Sequence, residues 1–271
     1  MKTFKKTWWR YLIAIPILFV YLTPFYILLG VAFSMPADPS SRWMFPGYLY
    51  LENFRVAMLG RIGQGIIGSL IITVSSVVLI VVIGALAAYP LARNKSRLNK
   101  FVRLFVLGVM MVPPLSILVP IYRVMITLNA ISTYQGIIVL LVTFSLPLSI
   151  FIFSNFISSI PAALDEAAHI DGCGPLRTFF FIIMPQLVPV TTSVAILTGV
   201  AAWNDYQFSL YILQAHRITS VTLAVTDFFA QVGSNPFAAA ASAVLGVLPI
   251  IVIFLFLQRY FIKGMVDSAI K

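Results

Sequence analysis

Six stretches of this chain run without a single Asp, Glu, Lys or Arg, and they decide most of what it can fold into. They cover residues 12–33, 66–91, 104–122, 137–156, 187–203 and 238–257. A helix that crosses a bilayer needs roughly 20 apolar residues, and a charge inside it is costly. Over the whole 271 residues, 61% are apolar and only 10% charged, against about a quarter charged in a soluble domain. The expected fold is an all-α integral membrane protein of six transmembrane helices, forming one domain over residues 1–271. Lys2, Lys5, Lys6 and Arg10 precede the first stretch as in a signal peptide. That stretch is far longer than a cleavable apolar core of about 7–15 residues, so it reads as a retained helix.

The prolines divide the spans into strong and weak ones. Pro113, Pro114 and Pro120 fall in the third stretch, Pro147 in the fourth and Pro189 in the fifth. Each reads either as a kink near a pathway or as an ordinary packing kink, since neighbours can satisfy the freed carbonyls.

The net charge of +10 is a matter of orientation. With six spans both termini share one side. That side collects 13 of the 18 basic residues, including Arg93, Lys95, Arg97, Lys100 and Arg103 in one loop; the other side holds Arg42, Arg55, Arg61, Arg123 and Arg217. The basic excess marks the cytoplasmic face, so both termini are expected inside and no nucleic-acid partner is implied. Cys173 is the only cysteine, which excludes an intrachain disulfide and reads as a small filler.

What is missing narrows the function further. No G-x-x-x-x-G-K-[ST] loop is present to hold ATP phosphates. The two histidines, His169 and His216, form no metal-binding spacing, and no G-x-S-x-G elbow occurs. Charge-free spans disfavour a proton-driven carrier, and no TVGYG filter is found. The chain reads as a conduit whose energy arrives from elsewhere, and His216 reads as an outer-loop surface residue.

One polar interruption stands apart. Residues 165–185, "DEAAHIDGCGPLRTFFFIIMP", fall in the expected cytoplasmic loop between spans four and five. Pro161 suits a first helical turn, and Asp165 and Glu166 sit where the helix dipole favours anions. Leu164, Ala167, Ala168 and Asp171 share one face with small side chains, which reads either as a docking surface, with Asp171 in the last turn inviting an external cation, or as a solvated amphipathic loop helix. Gly172 supplies the left-handed residue that ends the helix, and Pro185 marks entry to span five.

These residues resemble the E-A-A-x-x-x-G-x(9)-I-x-L-P pattern of binding-protein-dependent ABC importer permeases. Glu166, Ala167, Ala168, Gly172, Ile182 and Pro185 match, while Met184 replaces the usual Leu. "AAWNDYQFSL" at 201–210 and "FLFLQRYFIKGMVDSAIK" at the C-terminus are similar to the carbohydrate-uptake branch and its maltose-type six-span permease. Gly68-Ser69 departs from the usual Asn-Ser, and Ser268 from a common Gly. The resemblance implies a coupling helix within the loop 158–185, docking through Glu166, Ala167, Ala168, Asp171, Gly172 and Pro185 on an ATPase. It implies a second permease subunit in a heterodimer, two ABC ATPase subunits and an extracellular or periplasmic solute-binding protein. ATP and Mg would then be bound by the ATPase, with no cofactor, no metal and no catalytic residue in this chain. The setting it implies is the bacterial inner (plasma) membrane.

A second cluster, Trp203, Asn204, Asp205 and Tyr206, ends span five. It reads as an interfacial aromatic belt or, given its rings, amide and carboxylate, as part of a sugar path. Rival functions are import of another polar solute, such as a polyol or glycerol phosphodiester, an integral membrane enzyme, and a structural or assembly protein of the membrane.

Overall fold

The computed structural model describes residues 4–36, 44–215, 217–230 and 235–269. Lys2, Arg42, His216 and Lys271 lie outside them. Every regular element among the described residues is helical. In chain order they are α1 (Phe4–Phe33), α2 (Glu52–Leu59), α3 (Ile62–Arg93), α4 (Arg97–Met110), α5 (Leu118–Thr127) and α6 (Tyr134–Ser159). Then come α7 (Ala163–Ile170), α8 (Pro175–Thr178), α9 (Met184–Gln186), α10 (Val188–Trp203), α11 (Gln207–Ile212), α12 (Val221–Ala230) and α13 (Pro236–Ala269).

Four stretches are long and apolar enough to cross a bilayer alone: Arg10–Phe33, Ile62–Arg93, Tyr134–Ser159 and Pro236–Phe256. Two more are helix pairs, bent by 91° between Met110 and Pro114 and by 77° at Leu187. Among the described residues the chain therefore has four to six apolar spans. The third expected stretch, 104–122, is not one helix. Pro113 and Pro114 have no N–H to continue the ladder, and Pro114 forces Pro113 into extended backbone (φ −64°, ψ 125°). The next residues recover as a short 3-10 turn, Pro114–Ile117, before α5 begins.

The chain bends on entry to the fifth stretch for a related reason. A π turn occupies Phe179–Ile183, with the Met184 N–H donating to the Phe179 carbonyl. Pro185 follows immediately, and the wider turn makes room for its ring, which in a regular helix would strike the Phe181 carbonyl. Pro189 then opens α10, which runs unbroken for 16 residues, roughly 24 Å.

The chain packs as two compact units, Met1–Gln64 with Ala224–Pro249, and Gly65–Leu223 with Ile250–Lys271. In the first, α1 presents exposed apolar side chains along most of its length, as a lipid- or helix-facing surface must. Its C-terminal carbonyls are closed by Asn53, a fully buried side chain whose amide donates to Ala32 at 2.9 Å and Ser34 at 2.8 Å. Arg61 and Asp227 form an ion pair at 2.6 Å in the same unit.

The second unit is built on α3, α6 and α10. One core cluster joins Ile80, Ala88, Phe153, Ile157, Phe179, Leu187 and Val194; another joins Ile72, Ile137, Leu140, Ala202 and Phe208. The pairing of these residues makes α3 and α6 parallel, with α10 returning between their ends. Small residues let the backbones approach: Ser149 of α6 donates its hydroxyl to the Ile80 carbonyl at 3.2 Å, opposite Gly84.

Two glycines on α3 test how rigid these contacts are. A Cβ at Gly68 would run into the Thr219 backbone carbonyl, whereas one at Gly84 would meet the Ser149 side chain, whose hydroxyl can rotate away but whose Cβ, 3.1 Å off, must give by a few tenths of an ångström. Gly68→Ala is expected to cost about 1–3 kcal/mol through overpacking. In Gly84→Ala the helix-propensity gain of nearly 1 kcal/mol offsets most of the clash. Thermal unfolding in detergent checks this, and equal shifts would mean that the Thr219 segment moves aside.

Candidate functional site

The polar interruption folds as a short helix with a well-defined end. α7 starts after Pro161 and Ala162, and the Ala162 carbonyl accepts from Asp165 and Glu166 N–H groups at 2.9 and 3.1 Å. It closes on Gly172, whose φ is +78°. The Gly172 N–H donates to His169 at 3.0 Å and the Cys173 N–H to Ala168 at 2.9 Å, the paired bonds of a Schellman motif. Nothing lies within 4 Å of where a Gly172 Cβ would be, so the demand for glycine there is conformational.

The face expected to carry small side chains is divided between two directions. Ala168 is buried within the chain, whereas Glu166, Ala167, Asp171 and Gly172 are exposed. Glu166 and Asp171 have no ion-pair partner among the described residues. Ile170 is 85% exposed beside them, an apolar side chain that water alone does not favour. Pro185 lies beyond the π turn at the 77° bend, so its place is in the connection from α7 to α10 rather than on α7 itself.

What fastens α7 was not singled out from sequence. Asp165 forms an ion pair with Arg93 at 2.7 Å and accepts a hydrogen bond from the Tyr89 hydroxyl at 2.6 Å. The same Arg93 donates to the carbonyls of Ile157 at 3.1 Å and Ile160 at 2.8 Å, which end α6. One guanidinium thus joins the C-terminal ends of α3 and α6 to the first turn of α7. Arg93 and Asp165 side chains are only 18% and 19% exposed, so solvent screens the pair weakly. In the sequence Tyr89 and Arg93 stand four residues apart on one helical face, a spacing that places them together without naming Asp165.

The Trp203–Tyr206 cluster lies at the other end of the same unit. Val221 donates its N–H to Ser69 of α3 at 2.8 Å, and Thr222 donates its hydroxyl to the Asp205 carbonyl at 2.7 Å. Ser69 and Arg93 are 24 residues apart on one helix, about 36 Å, so the two clusters sit at opposite ends of α3. Trp203 is buried, which sets it apart from an interfacial belt. The Asn204 amide donates to Val200 at 3.0 Å, closing α10.

Asp205 works as a cap for α11. It accepts from the Phe208 N–H at 3.3 Å and from the N–H and hydroxyl of Ser209, both at 2.9 Å. Burial raises its pKa above the ordinary value, while those bonds favour the charged form and limit the rise. Asn204 and Tyr206 remain exposed.

With this geometry in place, comparison with known proteins is informative. Residues 80–267 match the family described as binding-protein-dependent transport system inner membrane component, and the chain belongs to that family. It is 40% identical over 250 residues to the melibiose/raffinose/stachyose import permease protein MelC of Bacillus subtilis, covering 92% of this chain and 91% of that one. It is 30% identical over 269 residues to the multiple sugar-binding transport system permease protein MsmG of Streptococcus mutans, covering 97% and 96%. A crystal structure of a bacterial ABC transporter involved in the import of the acidic polysaccharide alginate shares the fold. Its TM-score is 0.84 at 17% identity, over 96% of this chain and 98% of that one. The protein is accordingly a multi-pass membrane transport subunit rather than a catalyst.

The cap analysis makes a specific forecast for Asp205. Asp205→Ala should lower stability by about 1 kcal/mol, as loss of a capping side chain does, while Asp205→Asn keeps an acceptor oxygen and most of the stability. Thermal unfolding of both variants in detergent measures this. Equal losses would show that the charge, not the cap, is what the site requires.

Proposed function

We propose that this chain is one permease subunit of an ATP-driven importer for a sugar or oligosaccharide. The observation that carries the proposal is the α7 segment: an exposed acidic and apolar surface, closed by a Gly172 turn and fastened to two long helices through Arg93. A loop helix with no outside partner has no need of so firm an attachment, and Ile170 beside unpaired Glu166 and Asp171 suits a protein surface with a cation at its rim. The partner is an ABC ATPase, in whose cleft α7 serves as the coupling helix. ATP and Mg act there and not in this chain.

In this reading each bent pair crosses the bilayer once, giving six spans, and both termini and residues 158–185 face the cytoplasm of a bacterial inner membrane. The 13-to-5 division of basic residues supports that orientation. A second permease completes the path, a second ATPase serves it, and a solute-binding protein delivers substrate from outside. Asn204 and Tyr206 offer the outer end of the path an amide and an aromatic face, held in place by Trp203 and the Asp205 cap. Two relatives named for sugar transport, one for melibiose, raffinose and stachyose and one for multiple sugars, favour a sugar over a polyol or glycerol phosphodiester.

The test is uptake into proteoliposomes holding this chain with its permease partner, ATPase and binding protein. Labelled melibiose, raffinose, stachyose and maltose are offered with ATP enclosed on the ATPase side. Accumulation of at least one sugar that requires ATP is expected, and no accumulation of any would contradict the proposal. Glu166→Lys should insert normally but release the ATPase or uncouple it, because like charges at an interface cost several kcal/mol. Full ATPase retention and full uptake in that variant would remove Glu166 from the docking surface.

A further inference from the structure

Between the α3–α4 loop and the C-terminal end of α6 lies an open groove of about 810 Å³. Arg93, Lys95, Lys100 and Arg103 line it, and no carboxylate does. Arg93 is already committed to Asp165 and the α6 carbonyls. Lys95, Lys100 and Arg103 have no ion-pair partner among the described residues. Their charge is concentrated at the positive end of α4, whose first turn carries no acid to offset it.

Past Arg103 the character of the wall changes. Leu104 and Leu107 continue the groove, and α4 has no buried residue along its 14 positions. Phe101 and Phe105 stack on each other at 6.5 Å on its exposed surface. Uncompensated cations followed within two helical turns by exposed apolar side chains match the boundary between lipid headgroups and acyl chains.

We propose that this groove binds an anionic phospholipid, its phosphate held by Lys95, Lys100 and Arg103 and one acyl chain lying along Leu104 and Leu107. A soluble phosphate ester would meet the same cations but gain nothing from the apolar wall. The leaflet, the cytoplasmic one, rests on the orientation proposed above; the binding chemistry does not.

Native mass spectrometry of the complete transporter in a neutral detergent tests the site, with phosphatidylglycerol, phosphatidylcholine and glycerol phosphate as probes. Phosphatidylglycerol should be retained in preference to the other two. Lys100→Gln with Arg103→Gln should weaken it about 30-fold, two surface cations each being worth roughly a factor of five. Arg97→Gln with Arg123→Gln, which removes the same charge outside the groove, should leave retention unchanged. Lys100→Arg with Arg103→Lys should keep it, which separates loss of charge from misfolding. Equal retention of phosphatidylcholine, or displacement by glycerol phosphate at equal concentration, would overturn the assignment. So would a Lys100/Arg103 variant that holds lipid but loses the ATPase, since the groove would then be a protein contact. None of these readings depends on uptake or on which way the chain faces, so failure of the transport proposal would be visible separately.

Discussion

The arrangement of the second compact unit depends on one guanidinium. Arg93 ends α3 and gathers the last carbonyls of α6 together with the Asp165 carboxylate. Helix ends leave carbonyls unsatisfied, and a buried charge without a partner is strongly destabilising. Placing both problems at one point solves them together, and Tyr89 completes the set by donating to Asp165. The consequence is mechanical. A displacement of α7 cannot occur without either breaking a poorly screened ion pair or moving the ends of two long helices.

At the far end of α3 the same economy is reached with hydrogen bonds. Ser69, Thr222 and the Asp205 cap tie the segment after α10 to the start of α3. Gly68 permits the approach of the Thr219 carbonyl that this packing needs. Between the two ends, prolines set where the backbone turns. Pro113–Pro114 break one stretch outright, whereas Pro185 is absorbed by a π turn and a bend at Leu187. The bends fall beside the groove-lining helix and the α7 connection, the two places where a change of helix direction alters what the chain presents to a neighbour.

Much of this was legible in the sequence because its causes are local. Charge-free length marks a span, and Gly172 after an acidic-start helix marks its end, as the φ of +78° bears out. The prolines flagged the weak spans but not the size of the bends, which packing decides. The cap at Asp205 is also local, an Asp followed by Ser four residues later, but the sequence leaves the same residue open to an interfacial belt or a sugar path. The Arg93–Asp165 pair was not legible. Its partners are 72 positions apart in the sequence, and nothing in either neighbourhood names the other. Ala168 turned inward for a similar reason: periodicity gives a face, but not which face is already occupied.

The central claim is that α7 passes motion to the spans through its attachment at Arg93. The most direct measurement removes that attachment while leaving Arg93 on the α6 carbonyls, in Tyr89→Phe with Asp165→Ala. Sugar taken up per ATP hydrolysed is then measured in proteoliposomes of the complete transporter. The account predicts that the ATPase still co-purifies and still hydrolyses ATP, while uptake per ATP falls several-fold. Wild-type uptake per ATP in the double variant would contradict it.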